Sequence, residues 1–266
     1  MKKLSLVLVL LLVAGVMVGC GQQAEEKKEI TVGATPVPHA KILKEVVKPK
    51  LAEEGITLQI KEFTDYVTPN LALSDGSIDA NYFQHVPYLN NFKEERDLDL
   101  TYTAKVHLEP MGLYSNKIDS LDGLKSGSTV AVPNDATNEG RALLLLENKG
   151  LIKLEEEAGL KATPVDIVEN PKNLKFKELE AAQLPRVLKD VTAAVINTNY
   201  ALEADLVPTK DAIVIEGEDS PYANVLAVRT GNKNDPLIQK LTKVLTSEEV
   251  KQYIQEQYKG GIVATF

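Results

Sequence analysis

The stretch Thr129-Val-Ala-Val-Pro-Asn-Asp-Ala-Thr-Asn-Glu-Gly-Arg-Ala-Leu-Leu-Leu-Leu146 restricts the fold more than any other. A β-branched run, Thr129 to Val132, ends at Pro133. Asn134, Asp135, Thr137 and Asn138 follow, short polar residues that suit helix starts. The run from Ala142 to Leu146 is apolar all round, which marks a buried helix. A strand therefore feeds the N-terminus of a buried helix, where unpaired backbone N–H groups attract anions. Arg141 sits about one turn in. Spacing alone leaves two readings of it: a forked grip on a carboxylate or phosphate, or a helix arginine in solvent.

The same alternation recurs along the chain. Strands are expected at 30–34, 58–63, 78–80, 101–106, 111–114, 165–168, 193–196, 212–216 and 222–229. Helices are expected at 39–51, from Thr68 as N-cap to about Asp75, from Pro87, and at 177–184, 199–204, 235–245 and 247–258. Strands alternating with helices predict an α/β fold with a largely parallel sheet. The pattern restarts after Val106 without a Ser/Gly linker, so two lobes joined by strands are expected. Gly76-Ser-Ile-Asp-Ala-Asn81 faintly echoes Asp190-Val-Thr-Ala-Ala-Val-Ile-Asn197. Each places an Asn at or just after a strand's C-terminal end, where ligands sit in open α/β sheets.

The N-terminus is a separate matter. Met1-Lys-Lys, an apolar run from Leu4 to Val18 and then Gly19-Cys20 read as an export signal. Cys20 is the chain's only cysteine, and Met17-Val18-Gly19-Cys20 resembles a bacterial lipobox. That resemblance implies cleavage after residue 19 and lipid on Cys20. With that thiol lipidated, disulfides, thiol catalysis and cysteine metal sites are excluded. Residues 20–29 read as a lipidated, charged tether. A net charge of −8 argues against nucleic acid.

Tyr82-Phe-Gln-His-Val-Pro-Tyr88 is the densest aromatic cluster in a chain that is only 5% aromatic. Phe83, His85 and Tyr88 are read as a loop after a strand, either an apolar wall for a ligand with His85 as its polar point, or core residues beside a surface histidine. Tyr66 is a second loop aromatic. Asn197 and Asn224 stand where strands cross between lobes, and an Asn amide can accept from an ammonium and donate to a carboxylate. Nucleophile elbows, phosphate loops and His-Glu-x-x-His are missing, so no enzyme and no cofactor is expected. His39, His85 and His107 have no metal-ligand spacing.

Phe83-Gln-His-Val-Pro-Tyr88, Val132-Pro-Asn-Asp-Ala-Thr-Asn-Glu-Gly-Arg141, Val168-Glu-Asn-Pro-Lys-Asn-Leu174, Ala194-Val-Ile-Asn-Thr-Asn-Tyr200 and Ser220-Pro-Tyr-Ala-Asn224 occur in that order, with Gly260-Gly261 near the end. Together with the lipoprotein signal, this chain resembles the methionine-binding lipoprotein family (MetQ/NlpA type), over essentially its whole length. The resemblance implies a two-lobed, type II-like periplasmic-binding-protein fold, with lobe 1 at 30–107 and 225–266 and lobe 2 at 108–224. It implies methionine or a close analogue in the cleft and a lipid anchor at the extracytoplasmic face. It also implies an ABC importer's permease and ATPase as partners. Arg141 would bind the ligand carboxylate, and Asn197 and Asn224 the amino and carboxylate groups. Tyr66, Phe83, His85 and Tyr88 would enclose the thioether, and Asn138 would add a polar contact. Glu109, in Val106-His-Leu-Glu-Pro-Met111, would tune the choice between the free amino acid and a methionine dipeptide. Another amino acid is the remaining alternative ligand.

Overall fold

A computed structural model describes residues 28–217 and 220–266. The signal segment, Cys20 and the tether up to residue 27 lie outside the described residues. Glu29, read as the last tether residue, already begins β1 (Glu29–Ala34). Wide π-type turns at Pro36–Ala40 and Leu43–Val47 lead into α1 (Lys48–Glu53), and β2 (Thr57–Glu62) pairs parallel with β1. α2 (Thr68–Ser74) has Val67, not Thr68, at its N-cap position, and just before it the Asp65 carboxylate accepts from the Val67 and Thr68 N–H groups at 2.8 and 2.7 Å.

The next strand corrects the sequence reading. β3 runs over Ala80–His85 rather than 78–80, and all six residues are buried. Alternation fails as a signal here because both faces are covered. Tyr82, Phe83 and His85 therefore ride on a strand, not a loop, and Tyr88 sits in the helix that follows. Asn81 stands near the start of β3 and donates to Pro69 O and Asn70 Oδ1, so it has no part in a strand end. α3 (Val86–Arg96) follows at once, capped by His85, and β4 (Leu100–Leu108) completes this passage of the chain.

β5 (Gly112–Tyr114) opens a second sheet, followed by β6 (Thr129–Pro133) and α4 (Ala136–Asn148). A small hairpin pairs β7 (Lys153–Leu154) with β8 (Ile167–Glu169). The helix expected at 177–184 is instead β9 (Lys175–Leu179) and a 3-10 turn at Ala181–Val187. Pro185 and the break at Glu180 deny an α-helix its hydrogen bonds. β10 (Ala193–Ile196), α5 (Thr198–Glu203), α6 (Pro208–Asp211) and β11 (Val214–Ile215) follow. The chain then returns to the first sheet through β12 (Ala223–Arg229) and closes with α7 (Pro236–Leu245), α8 (Glu248–Tyr258) and β13 (Val263–Ala264).

Among the described residues, the two large sheets have the orders β13-β4-β12-β3-β1-β2 and β11-β5-β10-β6-β9. Both are mixed, since β12 runs antiparallel to β3 and β4, and β5 antiparallel to β10. Each sheet is covered on both faces, so its central strands feed two cores in alternation. In β12, Leu226 and Val228 join the core of Ile30, Ile42, Leu241 and Leu245. Val225 and Ala227 join that of Phe63, Leu73 and Leu89. In β6, Val130 and Val132 pack on Leu143 and Leu146 of α4, while Ala131 faces Leu184 and Ala201.

α4 comes so close to the turn at 159–161 that only glycine fits at position 140. A Cβ there would lie 2.4 Å from Leu160 O and 2.9 Å from Ala162 N, both backbone atoms that cannot swing aside. Gly140→Ala should therefore destabilise the protein by about 1–3 kcal/mol. Chemical denaturation checks this, and an unchanged midpoint would contradict it.

Candidate functional site

The two sheets face each other across a pocket. Its wall includes Tyr66, Phe83, His85, Tyr88, Asn138, Arg141, Asn197 and Asn224, so all eight residues singled out in the sequence meet at one place. Gln84, Glu109, Thr198 and Asn199 line it as well.

The aromatic side comes from the first sheet and its flanks. Phe83, Tyr88 and Phe92 form one buried cluster with Tyr66 against it. The Tyr66 ring lies 5.9 Å from Phe83, 5.8 Å from Tyr88 and 5.1 Å from Tyr200. The Tyr88 hydroxyl donates to Tyr66 O, which fixes the corner. These rings give an apolar wall with geometry suited to a polarisable group.

The polar side is organised by α4. Asp135 caps the helix, accepting from the Asn138 N–H at 3.1 Å, and its two carboxylate oxygens also accept from Asn138 Nδ2 at 2.9 and 3.0 Å. Asn138 Oδ1 then accepts from Asn197 Nδ2 at 2.8 Å and from His85 Nε2 at 3.1 Å. Every polar atom of the Asn138 amide is thereby used within the protein, and it holds His85 and Asn197 in place. His85 Nδ1 accepts from the Tyr88 N–H at 3.1 Å, so the ring proton sits on Nε2. Among the described residues, Asn197 Oδ1 and Asn199 Nδ2 are buried and find no hydrogen-bond partner. A buried amide oxygen and a buried amide nitrogen in one pocket wall are a standing acceptor and donor.

Arg141 is buried, and its use is more constrained than the sequence suggested. Nε donates to both Glu216 oxygens at 3.0 and 3.2 Å, and Nη2 donates to Glu216 and to Glu109 O at 2.7 Å. The guanidinium also lies 4.3 Å from the Tyr222 ring centroid. Among the described residues these bonds use Nε and Nη2, which leaves Nη1. Glu216 and Tyr222 gave no local signal, because their relation to Arg141 depends on the chain's return from β11 to β12.

Asn224 pairs with His85 and His107 in the sheet register, and its Oδ1 lies 3.2 Å from His39 Nε2. His39 and His107, 68 residues apart, converge on Glu109 Oε1 at 3.1 and 2.7 Å. Their ligand-capable atoms and Glu109 lie within 4.8 Å of one another, a grouping no local spacing reveals. Their hydrogen bonds to one another account for this grouping. Burial pushes Glu109 up, but His39 and the hydrogen bond from His107 outweigh it and hold the carboxyl well below the usual range.

Contacts between the two sheets close the pocket. The Tyr66 hydroxyl donates to Asn199 Oδ1 at 2.5 Å, and the Tyr200 hydroxyl donates to Thr64 O at 3.1 Å. Thr198 Oγ1 donates to Pro110 O at 2.5 Å. No helix among the described residues is long and apolar enough to cross a membrane.

Solved structures share this architecture. One, titled a nutrient binding protein from Burkholderia cenocepacia bound to methionine, has a TM-score of 0.87 at 50% identity, covering 89% of this chain and 100% of that one. The Bacillus subtilis structure titled a putative methionine-binding lipoprotein has a TM-score of 0.86 at 43% identity, covering 90% and 98%. The fold is the two-lobed α/β fold of periplasmic binding proteins, with the pocket between its lobes. A family model described as NlpA lipoprotein matches residues 30–266. The methionine-binding lipoprotein MetQ of Bacillus subtilis is 45% identical over 271 residues, which is 99% of this chain and 98% of its own. The chain belongs to the NlpA lipoprotein family. These relatives are named as binding proteins rather than as enzymes.

Burial, and secondarily the nearby Arg141 charge, pull His85 down to about 3. A folded value below the ordinary 6.5 means that His85 stability is complete above 6.5 and is lost as pH falls towards 3. NMR of the imidazole nitrogens should show the neutral Nε2–H form from pH 8 down to pH 5. Protonation with a midpoint near 6 would contradict the site's geometry.

Proposed function

We propose that this protein captures methionine outside the cytoplasm and hands it to the permease of an ABC importer, anchored by lipid on Cys20. The buried acceptor Asn197 Oδ1, in a pocket with Arg141 at one side and an aromatic wall at the other, carries the reading. An α-amino acid with a soft, unbranched side chain fits this layout. Its ammonium donates to Asn197 Oδ1. Its carboxylate accepts from Arg141 Nη1 and Asn224 Nδ2. Its thioether lies among Tyr66, Phe83 and Tyr88, where sulfur–aromatic contact adds about 0.3–1.5 kcal/mol. Asn138 acts through His85 and Asn197 rather than on the ligand. The relatives named for methionine binding, at 45% identity over nearly the whole chain, support the same ligand.

The work is binding, not bond-making. One lobe is taken as 30–107 with 225–266 and the other as 108–224; β4 ends at Leu108 and β12 begins at Ala223, so the first sheet extends a residue or two past those bounds, and the chain leaves it at 109–111. A ligand that touches both lobes favours their closed arrangement, because it binds that arrangement more tightly. The importer then reads the closed shape. The lipid on Cys20 holds the protein at the outer face of the membrane.

The test uses protein that has been unfolded and refolded to strip carried-over ligand, then screened by thermal shift against the twenty amino acids, D-methionine and methionine dipeptides. Methionine at 100 times its Kd should stabilise the fold by about 2.7 kcal/mol. A shift with a dipeptide or another amino acid, and none with methionine, would replace the ligand. Arg141→Lys keeps the charge but loses the fork, and calorimetry should show methionine binding weakened by more than about tenfold. Wild-type affinity in that variant would remove Arg141 from the ligand site.

A further inference from the structure

Glu109 is a buried carboxylate that the proposed contacts with methionine do not use. Its side chain is 6% exposed and lines the pocket. Both histidine bonds fall on one oxygen: His107 Nε2 at 2.7 Å and His39 Nε2 at 3.1 Å meet Oε1. Oε2 takes neither. The histidines are themselves fixed from behind. His39 Nδ1 lies 2.7 Å from Thr35 Oγ1, and His107 Nδ1 lies 2.5 Å from the Tyr82 hydroxyl. Two rings locked at their far nitrogens therefore hold one carboxylate oxygen and orient the other.

The charges around the pocket say what that second oxygen is for. Arg141 is the cation there, and Glu216 already faces it through a forked pair. Glu109 meets Arg141 only through its backbone carbonyl. Its carboxylate, held on Oε1 by His39 and His107, remains an anion in a water-poor wall, where a buried charge stays tolerable only when it is well paired, and Oε2 takes neither histidine. The same histidine that seats Glu109 also touches Asn224 Oδ1 at 3.2 Å, on the strand that borders the ligand. Asn197 Oδ1 supplies a neutral acceptor but no charge.

We infer that Glu109 is the counter-charge for the ligand's α-ammonium, seated by His39 and His107, and that it makes the pocket selective for a free amino group. This rests on the methionine reading above. The chemical class it selects is the unblocked α-amino acid or peptide N-terminus. N-acylated methionine, which carries a carboxylate and thioether but no ammonium, leaves Glu109 without its cation. His39 and His107 act through Glu109 and are positioning residues.

Calorimetry on the full-length chain in detergent, after refolding, tests this with L-methionine and N-acetyl-L-methionine. Wild type should prefer methionine by at least about tenfold, the scale of one hydrogen bond to a charged group. Glu109→Gln keeps the shape and loses the charge. It should weaken methionine by at least about tenfold and change N-acetyl-L-methionine by less than about twofold, collapsing the preference. Glu109→Asp keeps the charge and should retain part of the preference, which also serves if the glutamine variant does not fold. Equal losses for both ligands in Glu109→Gln would mean that Glu109 only holds the wall together, and would overturn the inference. So would a wild type that does not distinguish the two ligands. A wild type that binds neither would sink the methionine reading itself, and this inference with it.

Discussion

The structure hangs on one buried polar relay: Asp135 to Asn138, and Asn138 to both His85 and Asn197. It joins the first turn of α4, the end of β3 and the end of β10, which belong to different sheets. Burial pushes Asp135 up, while its bonds from Asn138 and Thr137 pull the other way. A carboxylate in that position stays tolerable only because it is so fully bonded. Its bonds in turn leave Asn138 a single acceptor, Oδ1, which two donors share. The pocket's shape is thus set by satisfying buried polar groups rather than by apolar packing, which is confined to the aromatic side.

The same relay explains how a ligand can change the shape of the molecule. Among the described residues, the side-chain bonds that cross between the two sides include His85 with Asn138, Tyr66 with Asn199, Tyr200 with Thr64 and Thr198 with Pro110. Water could replace each of them at little net cost if the sheets parted, since a typical neutral hydrogen bond contributes only about 1 kcal/mol. The cores behind them are extensive, and among the described residues only partly buried ones such as Leu202 and Tyr66 pack across from one side to the other. A ligand that adds a few bonds to both sides, one of them to a charged group, therefore has leverage on the balance between open and closed.

Much of this was legible in the chain, and the limits are physical. The β6–α4 unit was readable because Pro133 and the run of short polar residues punctuate it, and Arg141 falls on the helix that the motif predicts. Legibility fails where burial on both faces erases alternation, as in β3, whose residues carry no strand pattern of their own. It fails again at 175–187, where residues suited to a helix meet a proline and pack as an edge strand and a 3-10 turn. The eight pocket residues are legible from the family resemblance and from residue type. What a sequence could not carry was pairing: that Glu216 takes two donors of Arg141, or that His39 and His107 close on Glu109 from 68 residues apart. Such partners are neighbours only after both sheets have formed.

The most direct test of the account is a crystal structure of the refolded protein grown with L-methionine. The account predicts the ammonium at Asn197 Oδ1, the carboxylate at Arg141 Nη1 and Asn224, and the thioether between Tyr66, Phe83 and Tyr88, with the Asn138–His85 bond intact. Methionine bound elsewhere, or bound in this pocket with its carboxylate towards the aromatic wall, would contradict it.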